Sequence, residues 1–199
     1  MKTYEITRDL PDDLRSQAAE IYFQAFKGKI GGILKRDGTA QKFIASIMKP
    51  EFAIFALSAD GKEVLGLTGF KTNDGSFTQG SYSDMVAHYG VLGALWRGTI
   101  LSVLERKVQP GELQMDGIAV SEKARGLGIG TALLNETFSE AKKRNLNAVS
   151  LDVIATNPRA KALYERMGFK TVGTEKLGPF SMVFGFESAD KMIKQLENS

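Results

Sequence analysis

The chain has 199 residues, enough for one domain with a hydrophobic core (residues 1–199), and no linker or shift in composition divides it. Its 26 Lys+Arg against 23 Asp+Glu leave it weakly basic with the charges interspersed, which argues against a nucleic-acid-binding protein and suits an anionic small-molecule partner. The absence of cysteine excludes disulfides, thiolate metal sites and a cysteine nucleophile, and a single histidine, His88, excludes a multi-histidine metal centre.

Tyr4 to Thr7 predicts a short strand, with none of the continuous apolar run of a signal peptide around it, so a cytoplasmic location is expected. Asp9-Leu10-Pro11-Asp12-Asp13 marks a helix start, and Leu14, Ala18, Ile21, Tyr22 and Ala25 form one apolar helical face. This helix is expected to end in the glycine-rich basic loop Lys27 to Gly32, read either as a solvated connector or as a wall of a substrate pocket. A second helix follows over about Thr39 to Met48, stopped by Pro50. Phe52 to Leu57 and Glu63 to Phe70 predict two antiparallel strands joined through Asp60-Gly61.

After a polar loop from Lys71 to Ser83, the residues Met85, Tyr89, Leu92, Trp96, Ile100 and Val103 fall on one helical face, with Gly90, Gly93 and Gly98 expected to bend or split the helix. The apolar run Val86 to Leu104 is interrupted by His88, Arg97 and glycines, and falls short of the roughly 20 apolar residues of a membrane span. Pro110-Gly111 ends it. Leu113 to Val120 then predicts a strand, Gly130 to Arg144 a helix, and Ala148 to Ile154 a parallel strand, a beta-alpha-beta unit. Asn157 caps a helix that begins at Pro158 and ends at Gly168. Thr171 to Lys176 and Ser181 to Glu187 are expected to be closing strands, and Ser188 to cap a terminal helix containing Met192, Ile193 and Leu196.

The chemistry concentrates between strand and helix, at Arg125-Gly126-Leu127-Gly128-Ile129-Gly130-Thr131. Glycines at alternate positions leave backbone N–H groups unshielded and the helix start adds positive charge, so an anion belongs there. No Gly-Lys-Ser/Thr follows, which excludes a Walker loop, and the spacing never gives G-x-G-x-x-G directly after a strand, which opposes a dinucleotide fold despite Asp152 downstream.

Arg125, Gly128 and Gly130 spell Arg-x-x-Gly-x-Gly after the strand ending Ile118-Ala119-Val120, and Asn157 to Phe169 reads N-x-x-A-x-x-L-Y-x-x-x-G-F. Together, and in this order, the two segments resemble the Gcn5-related N-acetyltransferase (GNAT) superfamily. The resemblance implies an α/β (α+β) acyl-CoA N-acyltransferase fold. Its mixed central sheet of about seven strands would have splayed central parallel strands and helices on both faces, here with a helical insertion at about 84–107 before the central strand. It implies acetyl-CoA as acyl donor, no metal, and an amine acceptor bound by the Lys27–Gly32 loop, the Lys71–Ser83 loop and the insertion. Ile118, Ala119 and Val120 would bond the pantetheine arm. Arg125, Gly126, Leu127, Gly128, Ile129, Gly130 and Thr131 would hold the pyrophosphate, with the Arg125 side chain either on the cofactor or in solvent.

Amine acetylation requires a neutral amine, stabilisation of an oxyanion and a proton for the leaving thiolate. The resemblance makes Tyr164 the proton donor, against a packing role beside Ala160 and Met167, and lets Asn157 reach the pantetheine in addition to capping. For the general base, Asp116 is favoured as a charged residue in an apolar strand. Glu112, Asp84 and His88 rank below it, and Asp152 is read as solvated or ion-paired. A non-catalytic acyl-CoA sensor remains the rival reading, and a Trp96 helix face left exposed would imply a homodimer.

Overall fold

A computed structural model describes residues 3–34, 37–102, 107–178 and 181–197. Strand β1 (Tyr4–Thr7) leads through a 3-10 turn at Asp12–Leu14 into α1 (Arg15–Ile30), followed by α2 (Thr39–Ile47). Strands β2 (Ala53–Ser58) and β3 (Val64–Thr72) form the expected hairpin, extended by the two-residue β4 (Gly75–Ser76) before the inserted helix α3 (Tyr82–Ser102). Then come β5 (Glu112–Val120), α4 (Ile129–Lys143), β6 (Ala148–Ile154), α5 (Pro158–Arg166), β7 (Lys170–Lys176), α6 (Ser181–Phe184) and β8 (Ser188–Gln195).

The strands form one mixed sheet in the order β1-β2-β3-β5-β6-β8-β7, with β4 added beside β3. Among the described residues, only β5 and β6 pair in parallel. Alternation along β2 sorts the core into two layers. Ile54 and Ala56 pack with Leu133, Leu134 and Phe138 of α4, whereas Ala53, Phe55 and Leu57 pack with Ala18, Ala19 and Phe23 of α1 and Phe43, Ile44 and Ile47 of α2. A buried carboxylate ties the first layer together: Glu140 of α4, 2% exposed, accepts from Arg8 at 2.5 Å and from Arg144 at 2.6 Å. Arg144 also lies over Phe52 and Phe70.

Three expectations need correction. Residues 188–195, expected to be a terminal helix, form strand β8, while Ser181–Phe184, expected to be a strand, form a single helical turn. Met192, Ile193 and Leu196 fit either period, and β8 is decided by ladders on both of its sides, to β6 and to β7. Secondly, α1 runs on through Gly28 to Ile30. A mid-helix glycine costs about 1 kcal/mol against alanine, little beside the packing of α1 on α2 and the sheet. Thirdly, the single apolar face of the inserted helix does not form: the expected break falls at Gly90 (φ 69°, ψ 169°) and turns the second half so that Ala94 and Arg97 are buried and Leu92, at 81%, and Trp96, at 43%, are exposed. Arg97 donates to the Ile33 carbonyl at 2.9 Å and lies between the Tyr89 and Trp96 rings. Val103 lies outside the described residues.

Among the described residues, no helix is long and apolar enough to cross a membrane.

Candidate active site

The site begins where the parallel ladder stops. β5 and β6 are in register from Glu112 with Ala148 to Met115 with Leu151. Beyond that, β5 stays with β3 as far as Val120 and β6 stays with β8 as far as Ile154, so the two strands part from Asp116 and Asp152 onward. The edge of Ile118 to Val120 that faces β6 has no strand partner among the described residues. Backbone polar groups so placed require another partner.

A bulge sits at the point of parting. Phe70 pairs with Met115 and Gly69 with Gly117, leaving Asp116 as the extra residue. Gly117 has φ 124°, and the place of its missing side chain is 3.1 Å from the Phe26 ring and 3.9 Å from the Tyr164 hydroxyl. The Thr68 hydroxyl donates to the Gly117 carbonyl at 2.9 Å and fixes the bend. Because the bulge shifts the alternation by one, Leu113 and Met115 before it and Ile118 and Val120 after it all serve the α4 layer. Gln114 and Asp116 face the α1 side.

Next to the gap, Gly126 (φ 84°) and Gly128 (φ 79°) turn the chain into α4, whose first turn has no side-chain cap. The left-handed conformation at both positions is open only to glycine without strain, and the uncapped helix start presents backbone N–H groups and the positive end of the helix dipole. Nothing lies within 4 Å of the side Gly126 leaves open, and Leu127 is 49% exposed. The place of the missing Gly130 side chain is 3.3 Å from Leu163 of α5, so α5 packs closely against the first turn of α4. The turn thus fits a diphosphate bound by backbone rather than by side chains. Arg125 is exposed and lies 3.6 Å from Glu122. The Asn157 side chain accepts from the Ala160 N–H at 3.2 Å, which is the capping role.

Tyr164 reaches the gap from the α4 side. It is 4% exposed, and burial pushes its hydroxyl up to about 12, with a backbone hydrogen bond at Ile118 pulling the other way. The phenol is therefore fully protonated at neutral pH.

On the α1 side the gap opens into a cavity of about 420 Å³ between α1, α2, α3 and the β3–β5 surface. Tyr22, Phe26, Phe43 and Met85 give it an apolar wall, and Lys71, Thr78, Asp116 and Asp152 line its polar side. Tyr22 is raised well above the ordinary tyrosine range by burial and then by the Asp116 charge, partly offset by its hydrogen bond with Thr78.

Of the elements expected to bind an acceptor, the segment after β3 and the inserted helix do line this cavity. Among the described side chains of the Lys27–Gly32 stretch none lines it, and the backbone as far as Ile30 belongs to α1. Asp84 and His88 also lie elsewhere: Asp84 closes a capping pair with Ser81 (2.6 Å between side chains), and His88 Nδ1 meets the Asp84 carbonyl at 2.9 Å. Sequence reasoning passed over Tyr22 and Gln114 as cavity residues and read Asp152 as solvated or ion-paired. The signal for Asp152 was available in part, because Met115-Asp116 and Leu151-Asp152 repeat one pattern at equivalent places in two parallel strands.

Comparisons with known proteins identify the family and the fold. The chain is 30% identical over 171 residues to an uncharacterized N-acetyltransferase of Methanocaldococcus jannaschii, an alignment covering 85% of the chain but 62% of that relative, so the chain spans less than two thirds of its length. The fold matches a GCN5-related N-acetyltransferase from Kribbella flavida with TM-score 0.64 and 17% identity, covering 98% of each chain. A streptothricin acetyltransferase from Bacillus anthracis, described in complex with acetyl coenzyme A, matches with TM-score 0.50 and 19% identity over 73% of this chain and 62% of that one. The sequence pattern of the acetyltransferase (GNAT) family covers residues 15–169, which takes in both helical layers, the strand gap and the glycine turn. This chain belongs to the acetyltransferase (GNAT) family.

Proposed function

We propose that the protein is an N-acetyltransferase that moves an acetyl group from acetyl-CoA to a primary amine of a small molecule, peptide or protein, by direct transfer with both substrates bound. The observation that carries this reading is the adjacency of three features: the parted β5–β6 edge, the uncapped glycine start of α4, and the Tyr164 hydroxyl at Ile118. Family membership and the acetyl-CoA complex of a fold relative support the choice of donor.

Gly126 to Thr131 would hold the diphosphate through backbone N–H groups, and the free edge of Ile118, Ala119 and Val120 would pair with the amides of the pantetheine arm. Acetyl-CoA supplies an activated thioester whose C–S bond is exchanged for a C–N bond to the amine. Asp116, which lines the cavity, takes the proton that the amine must lose. Tyr164 Oη gives a proton to the departing sulfur and regains one from solvent. With its proton held at a pKa of about 12, Tyr164 acts as a hydrogen-bond donor to the developing thiolate before it acts as a full acid. The hydrophobic walls of α1, α2 and α3 exclude water from the same place.

Calorimetry with acetyl-CoA, run beside thiol release with a panel of amines, amino acids and peptides, tests the reading. Binding with amine-dependent thiol release is expected, and no binding of acetyl-CoA would remove the assignment of the glycine turn. The same reading places the protein in the cytoplasm as a single domain, and has copies associate through the exposed apolar face of α3. A monomer at every concentration in sedimentation velocity would remove the last point.

A further inference from the structure

Two side chains from opposite layers reach the strand gap, and they meet at one residue. The place of the missing Gly117 side chain is 3.1 Å from the edge of the Phe26 ring, which packs in the α1 layer, and 3.9 Å from the hydroxyl of Tyr164, which packs in the α4 layer. Two points at those distances from one position are at most about 7 Å apart. Only glycine leaves the space between them open, because φ is 124° and a side chain would stand in tight contact with the ring.

The position of the Phe26 ring is itself fixed. Phe26 lies one helical turn after Tyr22 on α1, with ring centroids 4.5 Å apart, and Tyr22 meets the edge of Phe77 at 5.4 Å. Phe77 is fully buried and packs in turn on Phe55 of β2. Tyr22 is also held by its hydrogen bond with Thr78. A run of aromatic rings thus extends from the core of the α1 layer to the gap, and Phe26 is its last member.

We infer that Phe26 sets the length of the acyl group, closing the donor site to chains longer than acetyl. This rests on the transferase reading above and goes beyond it by naming the side chain that measures the acyl group. With the thioester sulfur at the Tyr164 hydroxyl, the acyl carbons lie toward Gly117, between that hydroxyl and the ring. A carbon atom in contact with the ring keeps about 3.5–4 Å from it, so the span leaves depth for an acetyl methyl against the ring edge and none for a further methylene. A longer chain must displace the ring, and with it Tyr22, or turn past Asp116 into the cavity where the amine has to stand. The bonds made and broken are those of the transfer already described, and only the group carried is restricted.

The test measures the affinities of acetyl-CoA, propionyl-CoA and butyryl-CoA by calorimetry, which needs no acceptor, on the wild type and on Phe26→Leu, Phe26→Ala and Phe43→Ala. The wild type is expected to bind butyryl-CoA at least about fivefold more weakly than acetyl-CoA, with propionyl-CoA between them, because a tightly packed site resists added methylenes. Phe26→Ala removes a whole ring, more than the methylenes that butyryl adds, and an apolar hole of that kind accepts an apolar ligand. Its preference for acetyl over butyryl is expected to fall by about tenfold, and that of Phe26→Leu by less, as two methylenes gain an apolar surrounding. Phe43 lines the same cavity but packs against His88 and Tyr89 of α3, so Phe43→Ala is expected to keep the wild-type preference. Equal affinity of the wild type for acetyl-CoA and butyryl-CoA, an unchanged preference in Phe26→Ala, or an equal loss of preference in Phe43→Ala overturns the assignment of Phe26 and leaves the transferase standing. If Phe26→Ala does not fold, Phe26→Leu decides in the same way. Failure of the wild type to bind acetyl-CoA overturns the transferase reading itself and the inference with it.

Discussion

The two sides of the strand gap are built by different means. On the α4 side, the candidate donor site is made of backbone: positive-φ glycines, an uncapped helix start and a strand edge that has no strand partner among the described residues. On the α1 side, the cavity is made of side chains from elements distant in sequence, from Tyr22 to Asp152. A ligand common to many relatives can be held by main chain that tolerates side-chain change, whereas an acceptor must be chosen by side chains that differ. The donor side is thus written in short motifs and the acceptor side is not.

The sharpest way to break the comparison is at Tyr164, the side chain of the α4 layer on which the donor side depends. Tyr164→Phe is expected to lower kcat by about a hundredfold or more with acetyl-CoA affinity unchanged, the range for loss of a positioned proton donor. Undiminished turnover would reduce Tyr164 to packing against Phe169.

Burial distinguishes the same residue by pH. Because folding raises the Tyr164 pKa from 10 to about 12, the folded chain holds that proton more tightly than the unfolded chain does. Its contribution is complete below about pH 10 and is lost as pH climbs toward about 12, on the order of 2–3 kcal/mol in all. Denaturant titrations should show that alkaline slope in the wild type and a shallower one in Tyr164→Phe. Tyr22, shifted in the same direction from the opposite side of the sheet, should add its own share, so Tyr22→Phe is expected to flatten the slope independently.

The backbone argument predicts that Gly128→Val weakens acetyl-CoA binding by about tenfold, since a side chain in the left-handed region costs about 1–2 kcal/mol and shields the neighbouring N–H groups. Calorimetry measures it, and unaltered affinity would contradict a main-chain cradle. The smallest effect is expected at Arg125. Its exposed pairing with Glu122 has little energy to lose, so Arg125→Ala should alter stability by less than about 1 kcal/mol and acetyl-CoA affinity by less than about threefold.

How far the sequence could be read follows from the range of the forces involved. The Leu113 to Phe169 unit was legible because its signals are local: a strand period, glycines at a turn, Asn157 and Pro158 at a helix start. The strand at Ser188–Gln195 was not, because the spacing of Met192, Ile193 and Leu196 satisfies a helix as well and only pairing with two distant strands decides it. The face of α3 was misread because a single residue, Gly90, rotates everything after it. Asp116 was legible as an oddity in an apolar strand. Asp152 acquires meaning only from the register that puts Leu151 beside Met115, and Tyr22 only from the packing of α1 over the gap.

The order of strands at the far side of the sheet, β6-β8-β7, has a consequence for the growing chain. During synthesis β7 leaves the ribosome before β8 but can join the sheet only through it. Until Gln195 has emerged, Lys170–Lys176 has no strand to pair with and the outer edge of β6 stays bare. The glycine turn and the strand gap are by then already made. A nascent chain would thus possess the elements of its donor site while still exposing a sticky edge, and the strand that covers that edge is made after every other element of the sheet.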